Sequence, residues 1–178
     1  YWSDYTVAGV VPADAIAAET QEDADFALTL FPKGNALHLV PKIAVLGVGC
    51  RRGTTTEQLE MIFSEFCEKT GLAPQGICMA ASIDLKQNEA GLLEFCEKQH
   101  WNIEFYSAEQ LQKAPGTFTP SSFVRSVTGV DNVCERSAVL ASGGSLCLKK
   151  YASGGVTFAL AQKPYSPDWR WQNVRNIE

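Results

Sequence analysis

The apolar positions of this chain switch between a continuous or alternating pattern and a helical one. Ile43, Ala44, Val45 and Leu46 form an unbroken apolar run, which predicts a strand covered on both faces. Leu59, Ile62, Phe63 and Phe66 then recur at i, i+3, i+4 and i+7, one face of a helix. Thr54 and Glu57 have capping-box spacing, so the helix is expected to begin at Thr55, and Gly71 stands where a glycine ends one. Residues 76–83 predict a second buried strand, Leu92, Leu93, Phe95 and Cys96 a second helix, and residues 101–106 a third strand. Ser107 and Gln110 form another capping box. The order β-α-β-α-β-α argues for a largely parallel sheet with helices on both faces, an α/β fold.

The second half changes character. Residues 114–120 are a loop rich in Pro, Gly and Thr, after which Ser121 or Ser122 caps a helix carrying Phe123, Val124 and Val127. Gly129 breaks it, and Asp131 begins another through Val133, Cys134, Ala138 and Leu140. Residues 145–151 and 155–161 are β-rich runs joined at Ala152, Ser153 and Gly154, which predicts a hairpin and makes the sheet mixed. Before residue 43 the pattern is broken by Pro12, Pro32 and Gly34. Residues 1–42 are expected to be an arm or the remnant of a preceding domain, with a short strand over residues 37–40 in which His38 is structural. The expected domain covers residues 43–163, and residues 164–178 form a polar, aromatic tail, loosely packed or disordered.

Composition narrows the function classes. The length of 178 residues suits one domain of about 130–150 residues with an extension. The chain starts at Tyr1 without an initiator methionine, as a piece of a longer protein would. A net charge of −5 argues against nucleic acid as a partner, and no apolar run approaches the roughly 20 residues of a membrane span. Six cysteines with no CxxC pair and no Cys/His cluster disfavour zinc and a disulfide framework, and fit the cytoplasm. Cys50 stands apart, because two adjacent arginines are expected to lower its thiol pKa.

The candidate chemistry follows the first strand. Gly47, Gly49 and Gly53 are expected to form a tight loop leading to a helix N-terminus, a place that favours an anion. Arg51 and Arg52 sit at the positive end of that helix dipole, so a negative group must face them: a ligand, or acidic side chains from elsewhere. The spacing GxGxxxG misses the dinucleotide fingerprint by one residue and lacks the GK[ST] ending of a phosphate loop. Ligands in open α/β sheets bind beyond the carboxyl ends of the strands. That rule gathers residues 47–54, residues 82–89 and the turn at Tyr106 and Ser107, with Arg51, Arg52, Thr54, Ser82, Asp84 and Lys86 suited to a polycarboxylate or a phosphate. Asp84 or Glu135 is the expected acid or base, since no serine triad or HExxH motif is present.

Four segments, GVGCRRGT at 47–54, SIDLKQNEAGLL at 82–93, GVDNVCERSA at 129–138 and GVTFALA at 155–161, resemble the C-terminal domain of the CbiG/CobE family of cobalamin biosynthesis. The likeness runs from about residue 43 to residue 163. It implies a three-layer α/β/α domain and, for CbiG proteins, the anaerobic cobalt-precorrin-5A hydrolase activity that opens the ring-A lactone and releases acetaldehyde. The alternative it implies is a non-catalytic, CobE-like corrinoid carrier or scaffold. The matching positions are Gly47, Gly49, Cys50, Arg51, Arg52, Gly53 and Thr54 in the loop. Ser82, Asp84, Lys86, Glu89 and Gly91 match in the second segment, and Gly129, Val130 and Glu135 in the third. The implied ligand is a carboxylate-rich cobalt-precorrin, with cobalt present only in the substrate and no cofactor of the protein's own. The implied partners are neighbouring domains or other enzymes of the pathway.

Overall fold

The computed structural model describes residues 1–120 and 122–169, apart from the side chains of residues 122–124. In chain order the elements are β1 (Trp2–Ser3), β2 (Phe26–Leu28), β3 (Leu37–Leu39), β4 (Ala44–Cys50), α1 (Thr56–Thr70), β5 (Ile77–Ile83), α2 (Ala90–Lys98) and β6 (Asn102–Tyr106). There follow α3 (Ala108–Gln112), α4 (Ser122–Thr128), α5 (Val133–Ser142), β7 (Ser145–Ser153) and β8 (Val156–Gln162). The main sheet has the order β6-β5-β4-β8-β7. β4, β5 and β6 are parallel and β8 runs against β4 and β7, so the sheet is mixed and ends in the expected hairpin. The hairpin turn is Gly154–Gly155, with φ of 54° and 83°, one residue later than the pattern suggested. Paired positive φ matches the twist of the strands, which is why two glycines stand there.

The apolar stripes account for the layers. Leu59, Ile62, Phe63 and Phe66 of α1 are all buried, with Leu92 and Phe95 of α2, against β8. Phe63 is the hub, its ring 5.7 Å from Phe95, 5.4 Å from Trp101 and 5.8 Å from Phe158. Leu93 faces outward instead. Opposite, α5 lies on β4, β5 and β8, the third layer. The helix ends follow local rules. Gly71 caps α1 at φ 71°, and Ser107 and Gln110 form the predicted box. At the start of α1 the box is Thr55 with Gln58, one residue beyond the expected pair. α5 is capped by Asn132 rather than Asp131, through a 2.9 Å bond from the Glu135 N–H. Ser121 lies outside the described residues, and α4 starts at Ser122.

The first strand does not end at Leu46. β4 is flanked by β5 and β8, and pairing with β8 continues to Cys50 opposite Val156. Gly47 and Gly49 therefore lie in the strand, and only Gly53, at φ 74°, serves a left-handed turn. Gly47 is needed for a different reason, because a Cβ there would overlap the Cys134 carbonyl oxygen of α5.

Residues 1–42 hold three short parallel strands in the order β1-β2-β3, with β3 over Leu37–Leu39 near the expected place. Tyr5, Leu28 and Leu30 join the principal core. His38 meets the Lys33 carbonyl at 3.0 Å, a structural contact. The tail packs on this arm as far as Trp169: the Ala8 N–H donates to the Pro167 carbonyl at 2.8 Å, and the Trp169 ring lies 5.0 Å from Tyr1. Residues 170–178 lie outside the described part. Among the described residues no helix is long and apolar enough to cross a membrane.

Candidate functional site

A cleft of about 880 Å³ opens beyond the carboxyl ends of β4 and β5. Its first wall is the turn after β4. The Arg51 N–H donates to the Gly155 carbonyl at 3.1 Å, joining this turn to the hairpin, and the Thr54 hydroxyl donates to the Arg51 carbonyl at 2.8 Å. The Arg51 side chain lies along Gly155, where any Cβ would collide with it. The second wall is the turn after β5, which presents Lys86 and Glu89. Glu89 ties the walls together: one carboxylate oxygen accepts the Gly53 N–H at 3.0 Å and the other meets Lys86 at 3.1 Å. The Gly53 N–H foremost, with Lys86 and Arg52, holds the Glu89 carboxyl below its usual range.

The remaining walls come from elements the strand-end rule did not name. The end of α4, the Asp131–Asn132 cap of α5 and the hairpin around Lys150 and Gly155 close the cleft, whereas the turn at Tyr106 and Ser107 does not line it. Four cations thus converge: Arg51, Arg52, Lys86 and Lys150. Among the described residues only Lys86 of these has an ion-pair partner. Asp131 is engaged by Arg136 at 2.9 Å. Ile83, Val133 and Val156 supply a buried apolar floor.

Of the residues singled out in the sequence, Gly49, Cys50, Arg51, Arg52, Lys86 and Glu89 line this cleft. Gly53 and Thr54 shape its edge through the bonds above. Gly47 is covered by α5. Ser82 is fully buried and donates to the Val48 carbonyl at 2.7 Å, pinning β5 to β4. Asp84 sits in the 3₁₀ turn Asp84–Lys86 and is not part of the lining. Glu135 is also outside it and has no exposure at all. Its carboxylate accepts the Thr119 N–H and hydroxyl, each at 2.8 Å, and the Lys150 N–H at 2.7 Å. A group spent on three internal donors acts as an anchor for the residue 114–120 loop and for Lys150.

Two electrostatic expectations change. The Cys50 thiol is raised rather than lowered, because burial outweighs the nearby Lys86 and Glu89 opposes it. The loop main chain is also less available to an anion than its glycines suggested, since the Arg51 and Gly53 N–H groups are bonded within the protein. The anion-binding capacity resides in side chains. Lys150 was missed because alternation along β7 does not show which of Lys149 and Lys150 turns inward, and the β7–β8 register shifts between Leu148 and Tyr151. Among the described residues no group of three or more His, Cys, Asp or Glu side chains is placed to hold a metal ion.

Comparison with known proteins agrees with this architecture. The chain is 34% identical over 126 residues to a cobalt-precorrin-5A hydrolase of Priestia megaterium, covering 70% of this chain and 33% of that protein. It is 30% identical over 159 residues to the Salmonella typhimurium cobalt-precorrin-5A hydrolase, covering 86% and 45%. It therefore spans a third to under a half of the length of those two relatives. Protein CobE of a Sinorhizobium species is 32% identical over 122 residues, covering 66% of this chain and 78% of CobE. Among solved structures, the crystal structure of CobE from the cobalamin pathway superposes with a TM-score of 0.63 at 27% identity, covering 69% of this chain and 92% of that one. A cobalamin biosynthesis protein G homolog from Sulfolobus solfataricus, at 19% identity and a TM-score of 0.57, shares the fold over 92% of this chain and 50% of its own. The family model described as Cobalamin synthesis G C-terminus matches residues 44–161, two-thirds of the chain, and the protein belongs to that family of cobalamin biosynthesis.

Proposed function

We propose that this chain binds a carboxylate-rich cobalt-precorrin as the C-terminal part of a cobalt-precorrin-5A hydrolase, which opens the ring-A lactone and releases acetaldehyde. The observation that carries this reading is the convergence of Arg51, Arg52, Lys86 and Lys150 on one cleft, three of them without an ion-pair partner among the described residues. Like charges gathered in one place repel. In a chain of net charge −5, such a cluster favours a polyanionic ligand. Guanidinium forks match carboxylates, and the apolar floor suits the face of a ring. Cobalt enters only with the substrate. The six unpaired cysteines fit a reducing cytoplasm.

Lactone hydrolysis requires an activated water and donors for the tetrahedral oxyanion. Arg51, Arg52 and Lys150, without an ion-pair partner among the described residues, are suited to the second task. The cleft carboxylates are less suited to the first, since Glu89 is held by Lys86 and Gly53, and Asp131 by Arg136. That engagement, with the match to most of CobE, favours a second reading: a CobE-like carrier that holds the corrinoid without turning it over. Neighbouring domains or other enzymes of the pathway would then complete the chemistry.

Titration of the protein with cobyrinic acid, a corrin bearing free carboxylates, tests the binding claim. Arg51→Ala and Arg52→Ala should each weaken binding about tenfold, the loss of one charge-assisted contact. Unchanged affinity in both variants would remove the proposal. Acetaldehyde release from cobalt-precorrin-5A by the chain, alone or joined to the N-terminal region of its hydrolase relatives, decides for the hydrolase, and tight binding without release in both forms decides for the carrier.

A further inference from the structure

We infer that Leu85 and Val127 are specificity-determining residues, a pair of apolar jaws at the mouth of the cleft that select a rigid macrocycle over a flexible polycarboxylate. This inference rests on the corrinoid reading above and deepens it. Both side chains line the cleft, yet Leu85 is 62% exposed and Val127 64%. They come from independent elements, Leu85 from the turn after β5 and Val127 from the last turn of α4. Neither is covered by the protein, so neither gains much from folding where it stands.

Single exposed apolar residues are ordinary on a protein surface. The unusual feature is their setting. Each lines a cleft that also carries Arg51, Arg52, Lys86, Glu89 and Asp131, where solvated polar groups would be the default at the mouth. A rim of cations alone binds any polyanion of suitable charge. Two apolar side chains add a contact that only a ligand with an extended apolar body can satisfy, because an open-chain polycarboxylate offers methylenes but no face. The buried floor of Ile83, Val133 and Val156 continues that apolar surface inward. The result is a site with an apolar interior and jaws, and cations around them, complementary to a ring whose carboxylates project from its edge.

The test compares two probes, cobyrinic acid and a glutamate heptapeptide, by titration calorimetry against the wild type and the Leu85→Ser/Val127→Ser double variant. Both positions are exposed, so the variant should keep its fold, which circular dichroism checks. The expected result is a loss of about tenfold in cobyrinic acid affinity, from apolar area left uncovered, with the heptapeptide unchanged. Arg52→Ala should weaken both probes. Equal affinity of wild type and double variant for cobyrinic acid overturns the inference while leaving the corrinoid reading intact. An equal loss for both probes also overturns it, since the jaws would then act on the shape of the cleft rather than on ligand choice. Failure of the wild type to bind cobyrinic acid overturns the corrinoid reading itself, and the inference with it.

Discussion

Replacing Glu135 separates its role as an internal anchor from a role as a catalytic base. The side chain is fully buried and both carboxylate oxygens are in use, one by the Thr119 N–H, the other shared by the Thr119 hydroxyl and the Lys150 N–H. Glu135→Ala leaves three part-buried donors without an acceptor and a cavity where the carboxylate stood. An orphaned donor costs about 1–3 kcal/mol. The return of the carboxylate's own desolvation cost offsets part of that, so the net loss should be about 3–5 kcal/mol. For a chain of this size each kcal/mol lowers Tm by about 2–4 °C, which gives a fall of roughly 10 °C. Glu135→Gln keeps one acceptor oxygen and turns an NH2 toward a donor, so about half that loss is expected. Urea and thermal denaturation measure both. In a double-mutant cycle with Thr119→Val, the losses should be less than additive, because the two residues share a hydrogen bond. A loss below about 1 kcal/mol for Glu135→Ala, combined with abolished turnover, would refute the anchor and restore the base. Surface substitutions of that size leave a fold almost untouched.

Other outcomes follow from the same geometry. Gly47→Ala places a Cβ on the Cys134 carbonyl and should destabilise the protein by about 3 kcal/mol by prising α5 from β4, measured by denaturant titration; a neutral result would mean that the helix moves freely. Cys50 should alkylate with iodoacetamide more slowly than free cysteine at pH 7.5, because burial raises its thiol pKa, and a faster rate would contradict that. Glu89 has a depressed folded pKa, so its contribution is present above its unfolded value of about 4.3 and is lost as the pH falls through the lower folded value. Amide exchange at Gly53 should therefore accelerate in that acid window beyond the intrinsic pH dependence of exchange, and a flat corrected profile would argue against the Glu89 tether.

Local rules carried much of the fold. The apolar face of α1, the glycine end at Gly71, the Ser107–Gln110 box and the hairpin over β7 and β8 depend on residues a few positions apart, which a linear pattern records. The same holds for the placement of a site beyond β4 and β5, because strand order in an α/β unit follows chain order. The arm was harder to anticipate. β1 and β2 are two and three residues long, too short to show a period, and β1 is held by partners more than twenty residues away.

The α/β order, the arginine pair at the end of the first strand and the family segments are legible in the linear chain, since each is a property of neighbouring residues. Tertiary structure decided which charges meet. Lys150 reaches the cleft because a shifted hairpin register turns it inward, and Glu135 leaves it because three donors from other elements enclose its carboxylate. Gly47 and Gly49 belong to a strand because β8, more than a hundred residues later, pairs alongside them. The physical reason is the same in each case: hydrogen bonding and burial act through space, and the partner that fixes a side chain's role is supplied by a distant part of the chain.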